Sequence, residues 1–124
     1  MSRLQLRIFL STTRLGPGKA DLLEQIAATG SISAAGRAMG MSYKRAWSLV
    51  EEMNAAFSSP LVLSARGGSG GGGASLSETG ERVLTLYREA LAAAELAVVP
   101  AVSRLETMLA EGMDGASVDI SEQK

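Results

Sequence analysis

The sequence predicts a single, mainly α-helical domain that carries one small β-hairpin and closes on a long C-terminal helix. Three observations point there. Two helical segments meet across a very short turn at Gly40, strand-like "LVLSA" and "ASL" flank a glycine-rich tract at 65–75, and an alanine-rich run follows Ser77. A chain of 124 residues with 46% hydrophobic content suits one compact domain, and no internal repeat is visible.

Taken in order, "LQLRIFL" alternates apolar side chains at Leu4, Leu6 and Ile8, which predicts a short strand over 4–10 with one buried face. Gly16, Pro17 and Gly18 then turn the chain into a helix over 19–29. That helix places Leu22, Leu23, Ile26 and Ala27 at helical spacing and stops at Gly30. Ser31 or Ser33 caps a second, short helix through Ala34, Ala35, Ala38 and Met39, with Gly40 as its tight exit. Ser42 caps a third helix that stays free of Gly and Pro through Phe57. A short helix bracing a longer one across such a turn is the helix-turn-helix pattern, in which the longer helix enters a major groove. The two strands and glycine tract that follow describe a wing. Ser77 then caps a helix over 78–99 with an apolar side of Val83, Leu84, Tyr87, Leu91 and Ala94. Pro100 kinks or ends this helix, and it resumes as far as Gly112. The expected organisation is a DNA-binding head over 1–76, a long helix over 77–111, and a disordered acidic tail over 112–124.

Composition removes several function classes. The chain has neither cysteine nor histidine, so thiolate chemistry, disulfides and histidine-dependent triads are absent. The glycine tract lacks the Gly-Lys-Ser/Thr ending of a phosphate-binding loop, and Glu51 and Glu52 point about 100° apart on a helix, so they do not converge as an acid/base pair. The reading is therefore not an enzyme, and no cofactor is expected. No stretch approaches the ~20 apolar residues of a membrane helix, which predicts a soluble, cytoplasmic protein without membrane contact. The net charge of -1 conceals an uneven division: seven Lys/Arg against two acids up to Val50, then five against eleven. Such asymmetry suits a polyanion-binding face in the first half.

Projected at 100° per residue, the third helix gathers Ala46, Val50, Met53 and Phe57 into a narrow apolar stripe with Leu49 on its edge. Lys44, Ser48 and Glu51 lie opposite, flanked by Arg45 on one side and Tyr43 and Trp47 on the other. The expected DNA-binding set is Ser42, Tyr43, Lys44, Arg45 and Ser48 on this helix, Ser31 and Ser33 at the start of the bracing helix, and Arg66 in the wing. Ser42 also serves as a helix cap. Trp47 reads equally as a packed aromatic or a DNA contact, and Arg37 as an exposed charge or a backbone contact.

Two blocks of sequence carry a resemblance. "GPGKADLLEQIAATGSISAAGRAMGMSYKRAWSLVEEMN" followed by "GGSGGGGASLSETGERVLTLY" resembles the N-terminal DNA-binding domain of molybdate-responsive ModE-type regulators, themselves similar to the winged-helix heads of LysR-type regulators. The resemblance covers roughly residues 4 to 95. It implies a homodimeric winged-helix transcriptional regulator, paired through its long helix and bound to palindromic double-stranded DNA. Family members carry a C-terminal molybdate-binding region that is not found in these 124 residues, so molybdate binding is not expected from this chain alone. The alternative is a protein-interaction module that docks another regulator through its long helix.

Overall fold

Pro17 opens the first long element because a proline at the start of a helix loses no hydrogen bond and brings a helical φ. In the computed structural model, which describes residues 2–65 and 73–110, the elements run β1 (Ile8–Phe9), β2 (Arg14–Leu15), α1 (Pro17–Thr29), α2 (Ile32–Ala38), α3 (Tyr43–Ala56), β3 (Val62–Ala65), β4 (Gly73–Leu76), α4 (Glu78–Ala97) and α5 (Val99–Thr107). The strands form two separate antiparallel pairs, β1 with β2 and β3 with β4.

The main core joins α1, α2, α3 and the start of β3. Leu22, Leu23 and Ile26 from α1, Ile32 and Ala35 from α2, and Ala46, Leu49, Val50 and Met53 from α3 pack with Leu61 and Val62. Each fully buried Leu or Ile contributes ~1.5–3 kcal/mol relative to exposure, so this cluster fixes the angle of the helix pair. α2 and α3 approach closely because Gly36 has no side chain: a Cβ there would lie 2.9 Å from that of Ala46. Gly40, with φ 72°, completes the turn between them. The expected stripe on α3 is buried at Ala46, Val50 and Met53 and half-buried at Phe57.

A second cluster of Leu15, Ala20 and Tyr87 lies under the N-terminal hairpin and ties it to α4. The strand expected over 4–10 is shorter than its alternation implies, and its partner is Arg14–Leu15, just ahead of the Gly16–Gly18 turn. The reason is the fate of the backbone groups. Leu10 N–H donates to the Thr13 carbonyl at 2.7 Å and closes the hairpin, whereas the Leu6 carbonyl accepts from the Tyr87 hydroxyl at 2.7 Å. Residues 2–7 therefore run beside α4 and α5 without regular structure. Burial raises the Tyr87 pKa, keeping the phenol protonated as this donor.

Ser77 caps α4 by accepting from Gly80 N–H at 2.9 Å, as its sequence position implied. The break in the C-terminal helix falls at Val98, two residues ahead of Pro100, with Pro100 in the first turn of α5. A proline cannot donate to the carbonyl four residues back and its ring crowds that turn, so the distortion precedes the residue that causes it.

Gly80 gives the sharpest packing constraint. A Cβ there would meet the Leu61 carbonyl oxygen at 2.2 Å and its carbon at 3.0 Å. Gly80→Ala should therefore lower stability by about 3 kcal/mol, the upper end for overpacking, visible as a melting temperature reduced by roughly 10 °C or more. Gly18, in the first turn of α1 with open space around it, provides the contrast: Gly18→Ala should raise stability by ~0.4–1 kcal/mol. Thermal unfolding by circular dichroism measures both.

Candidate nucleic-acid interface

The first two turns of α3 stand clear of the core on one side. Ser42 accepts from Arg45 N–H at 3.0 Å and caps the helix, leaving Tyr43, Lys44, Arg45 and Ser48 exposed beyond it. Ala46, Leu49 and Val50 hold the opposite side in the core, so the helix cannot turn its cations inward without losing that burial. Tyr43 is 62% exposed and meets Trp47 edge to face, with ring centroids 6.1 Å apart and planes at 64°. Trp47 packs against the core, and its Nε1 is buried with no hydrogen-bond partner among the described residues. This is the packed side of the alternative left open for that residue.

At the start of α2, Ser31 accepts from Ala34 N–H at 3.0 Å and lies 3.2 Å from the Ser33 hydroxyl. Ser31 thus fills the capping role, and both serines are half-buried. Arg37 is exposed in the last turn of α2. Arg66 lies outside the described residues.

The base of the hairpin is bolted to the rest of the molecule. β3 and β4 pair in the register Val62 with Leu76 through Ala65 with Gly73, and Ala74 N–H donates to the Gly30 carbonyl at the end of α1 at 2.8 Å. Asn54 does the same from α3. Its Oδ1 accepts from Leu61 N–H at 2.9 Å and Val62 N–H at 3.0 Å, and its Nδ2 donates to the Val62 carbonyl at 3.2 Å. Sequence reasoning missed Asn54, although a lone amide at the end of an apolar stripe, a few residues ahead of a strand, is a signal for such a clamp.

Ion pairs join the helices across both sides of α1. Arg88 of α4 pairs with Asp21 at 3.3 Å and with Glu24, joining α4 to α1. On the other side of α1, Lys19 donates to Glu52 of α3 at 2.6 Å and to the Arg14 carbonyl at 2.9 Å. The hydrogen bond from Lys19 holds the Glu52 carboxyl below its ordinary value; burial opposes this, and the charges of Lys19, Arg14 and Arg45 assist. A carboxyl lowered by folding adds stability above its unfolded pKa and loses it as pH falls through the folded one. Glu52→Gln should accordingly be less stable than the parent at neutral pH, with the gap closing below pH 4.5, the ordinary carboxyl value. Because Glu52 is 52% exposed, solvent screening keeps the effect small. Urea unfolding across pH reads it.

No helix among the described residues is long and apolar enough to cross a membrane, and no group of three metal-ligating side chains occurs among them. The helices and two small antiparallel sheets are compatible with the winged helix-turn-helix class. Similarity to known proteins is more specific. The molybdenum-pterin-binding protein MopB of Rhodobacter capsulatus is 42% identical over 105 residues, which cover 85% of this chain and 37% of MopB. The transcriptional regulator ModE of Yersinia pestis is 45% identical over 85 residues, 68% of this chain and 30% of that protein. The molybdenum transport protein ModE of Azotobacter vinelandii is 36% identical over 117 residues, 92% of this chain and 42% of its own. No protein-family model matches the chain. Over most of its length the chain thus matches the N-terminal region of ModE-type proteins, and it spans between 30% and 42% of the length of these relatives.

Proposed function

We propose that the chain is a sequence-specific DNA-binding module of a transcriptional regulator, a winged helix-turn-helix acting as a homodimer. The observation that carries this reading is the first half of α3, where Tyr43, Lys44, Arg45 and Ser48 are exposed while Ala46, Leu49 and Val50 are buried in the core. A helix so placed offers cations and hydroxyls to phosphates and base edges while its back is fixed. The relatives named as transcriptional regulators support the same conclusion.

In this reading α3 enters the major groove, with Lys44 reaching a phosphate or a guanine edge. Ser42 and Tyr43 donate to the backbone, as do Ser31 and Ser33 at the head of α2. Arg66 contacts the adjacent groove from the wing. Pairing runs through α4, α5 and the turn that follows, where Leu86, Leu96, Val99, Leu105, Met108 and Leu109 are all more than half exposed. The dimer sets half-sites about one turn of DNA apart, ~34 Å.

Electrophoretic mobility shifts on duplexes selected from a random library should give binding at low salt that weakens steeply as salt rises. Lys44→Ala should lower affinity for the selected sequence by roughly tenfold, about 1–3 kcal/mol if a base contact is lost. Absence of any selected duplex, or binding indifferent to Lys44, would exclude the α3 assignment. The exposed apolar side of α4 and α5 also suits docking to a different regulator. Sedimentation equilibrium separates the two: a dimer favours self-pairing, and a monomer at micromolar concentration favours the docking module.

A further inference from the structure

Beside α3, on the flank away from Tyr43 and Trp47, a cleft of about 440 Å³ separates the N-terminal hairpin from the recognition helix. Arg7 and Arg14 line it from the hairpin, Lys19 from α1 and Arg45 from α3, with Glu52 as the single carboxylate among the lining residues. Glu52 is already engaged by Lys19. The ion pairs among the described residues join Lys19 to Glu52 and Arg88 to Asp21 and Glu24, so the guanidinium groups of Arg7, Arg14 and Arg45 bring charge with no carboxylate in contact. The Arg7 side chain lies over Gly16, where a Cβ would meet its Nε at 3.3 Å, and the first turn of α1 contains no acid. Cations gathered in a concavity reinforce one another's field and raise the local concentration of anions.

The geometry points to this cleft as a seat for a backbone phosphate of duplex DNA, held by Arg7 and Arg14 together with Arg45. The inference rests on the DNA-binding reading and extends the contact surface from α3 to the N-terminal hairpin. Two features select a phosphodiester over a free oxyanion. Arg45 belongs both to the cleft and to the exposed end of α3, so one backbone can pass from one to the other. Phe9, 71% exposed, and the half-buried Met41 give the cleft apolar walls fit for deoxyribose rather than for a bare, hydrated ion.

Fluorescence anisotropy with the 124-residue protein tests it, comparing the parent with Arg7→Ala/Arg14→Ala, Arg7→Lys/Arg14→Lys and Lys44→Ala on a selected and a random duplex. The alanine pair should weaken binding by the same factor on both duplexes and flatten the slope of log K against log salt by about 1.8, roughly 0.9 for each lost phosphate contact. The lysine pair should restore the slope, which a merely structural role for arginine would not. If Lys44→Ala weakens selected binding while the alanine pair matches the parent in affinity and slope, the cleft holds no phosphate and the inference fails with the α3 reading intact. If the parent binds neither duplex at low salt, both readings fall together. A parallel melting series with inorganic phosphate against chloride at constant ionic strength addresses the remaining source: stabilisation by phosphate that the alanine pair abolishes, with an unchanged DNA slope, would make the cleft a small-oxyanion site and overturn the assignment to DNA. Circular dichroism of each variant verifies folding, and if the alanine pair unfolds, Arg7→Gln/Arg14→Gln, which removes both charges but keeps most of each side chain, should flatten the slope by the same amount.

Discussion

The molecule is organised around one residue, Leu61, and the peptide groups on either side of it. Its N–H is taken by the Asn54 side chain of α3, and its carbonyl accepts the Ser77 N–H at 2.8 Å, while the Ser77 hydroxyl donates to the neighbouring Pro60 carbonyl at 2.6 Å. Its side chain is fully buried in the main core, and its carbonyl is covered so closely by Gly80 that no Cβ fits. A buried backbone group left without a partner costs about 1–3 kcal/mol, so each of these contacts is needed once the others exist. Through this unit α3, β3 and α4 share a single frame. The exposed end of α3 and the hairpin are consequently positioned relative to each other by the same few bonds.

Charge is distributed on that frame with a consistent logic. The α1–α4 contact uses Arg88 against Asp21 and Glu24, which neutralises cations where two helices must meet. The hairpin side of α1 does the reverse, concentrating cations around one engaged carboxylate. A net charge near zero therefore says little about the partner: the acids are placed mostly on the α4 side and beyond, and the cations mostly on the first half of the chain.

Much of this was legible in the sequence, and the reasons differ by element. α1, α2 and α3 announced themselves because capping serines and terminal glycines are local signals that act through the nearest backbone groups. Ser31, Ser42 and Ser77 each accept the bond their position implied. The apolar stripe of α3 was readable because helical periodicity survives projection without knowledge of the partner. The N-terminal strand was misjudged for the opposite reason. Alternation at Leu4, Leu6 and Ile8 records burial, and here burial comes from α4 and the Tyr87 hydroxyl bond rather than from a long sheet. Asn54 and the cleft around Arg14 stayed hidden because both depend on residues brought together from separate elements, which no local pattern encodes.

The hairpin has a further consequence for how its length can vary. Both of its strands are fixed below the tip, β3 by Asn54 and β4 by the bond from Ala74 to Gly30, and their pairing extends to Ala65 with Gly73. These anchors all lie outside the seven intervening residues, 66–72, and joining two fixed strand ends costs the entropy of closing a loop. That entropy grows slowly, by about 0.6 kcal/mol for each doubling of length. Strand register, the α4 start and the Leu61 frame are therefore set by bonds whose partners all lie outside that tract.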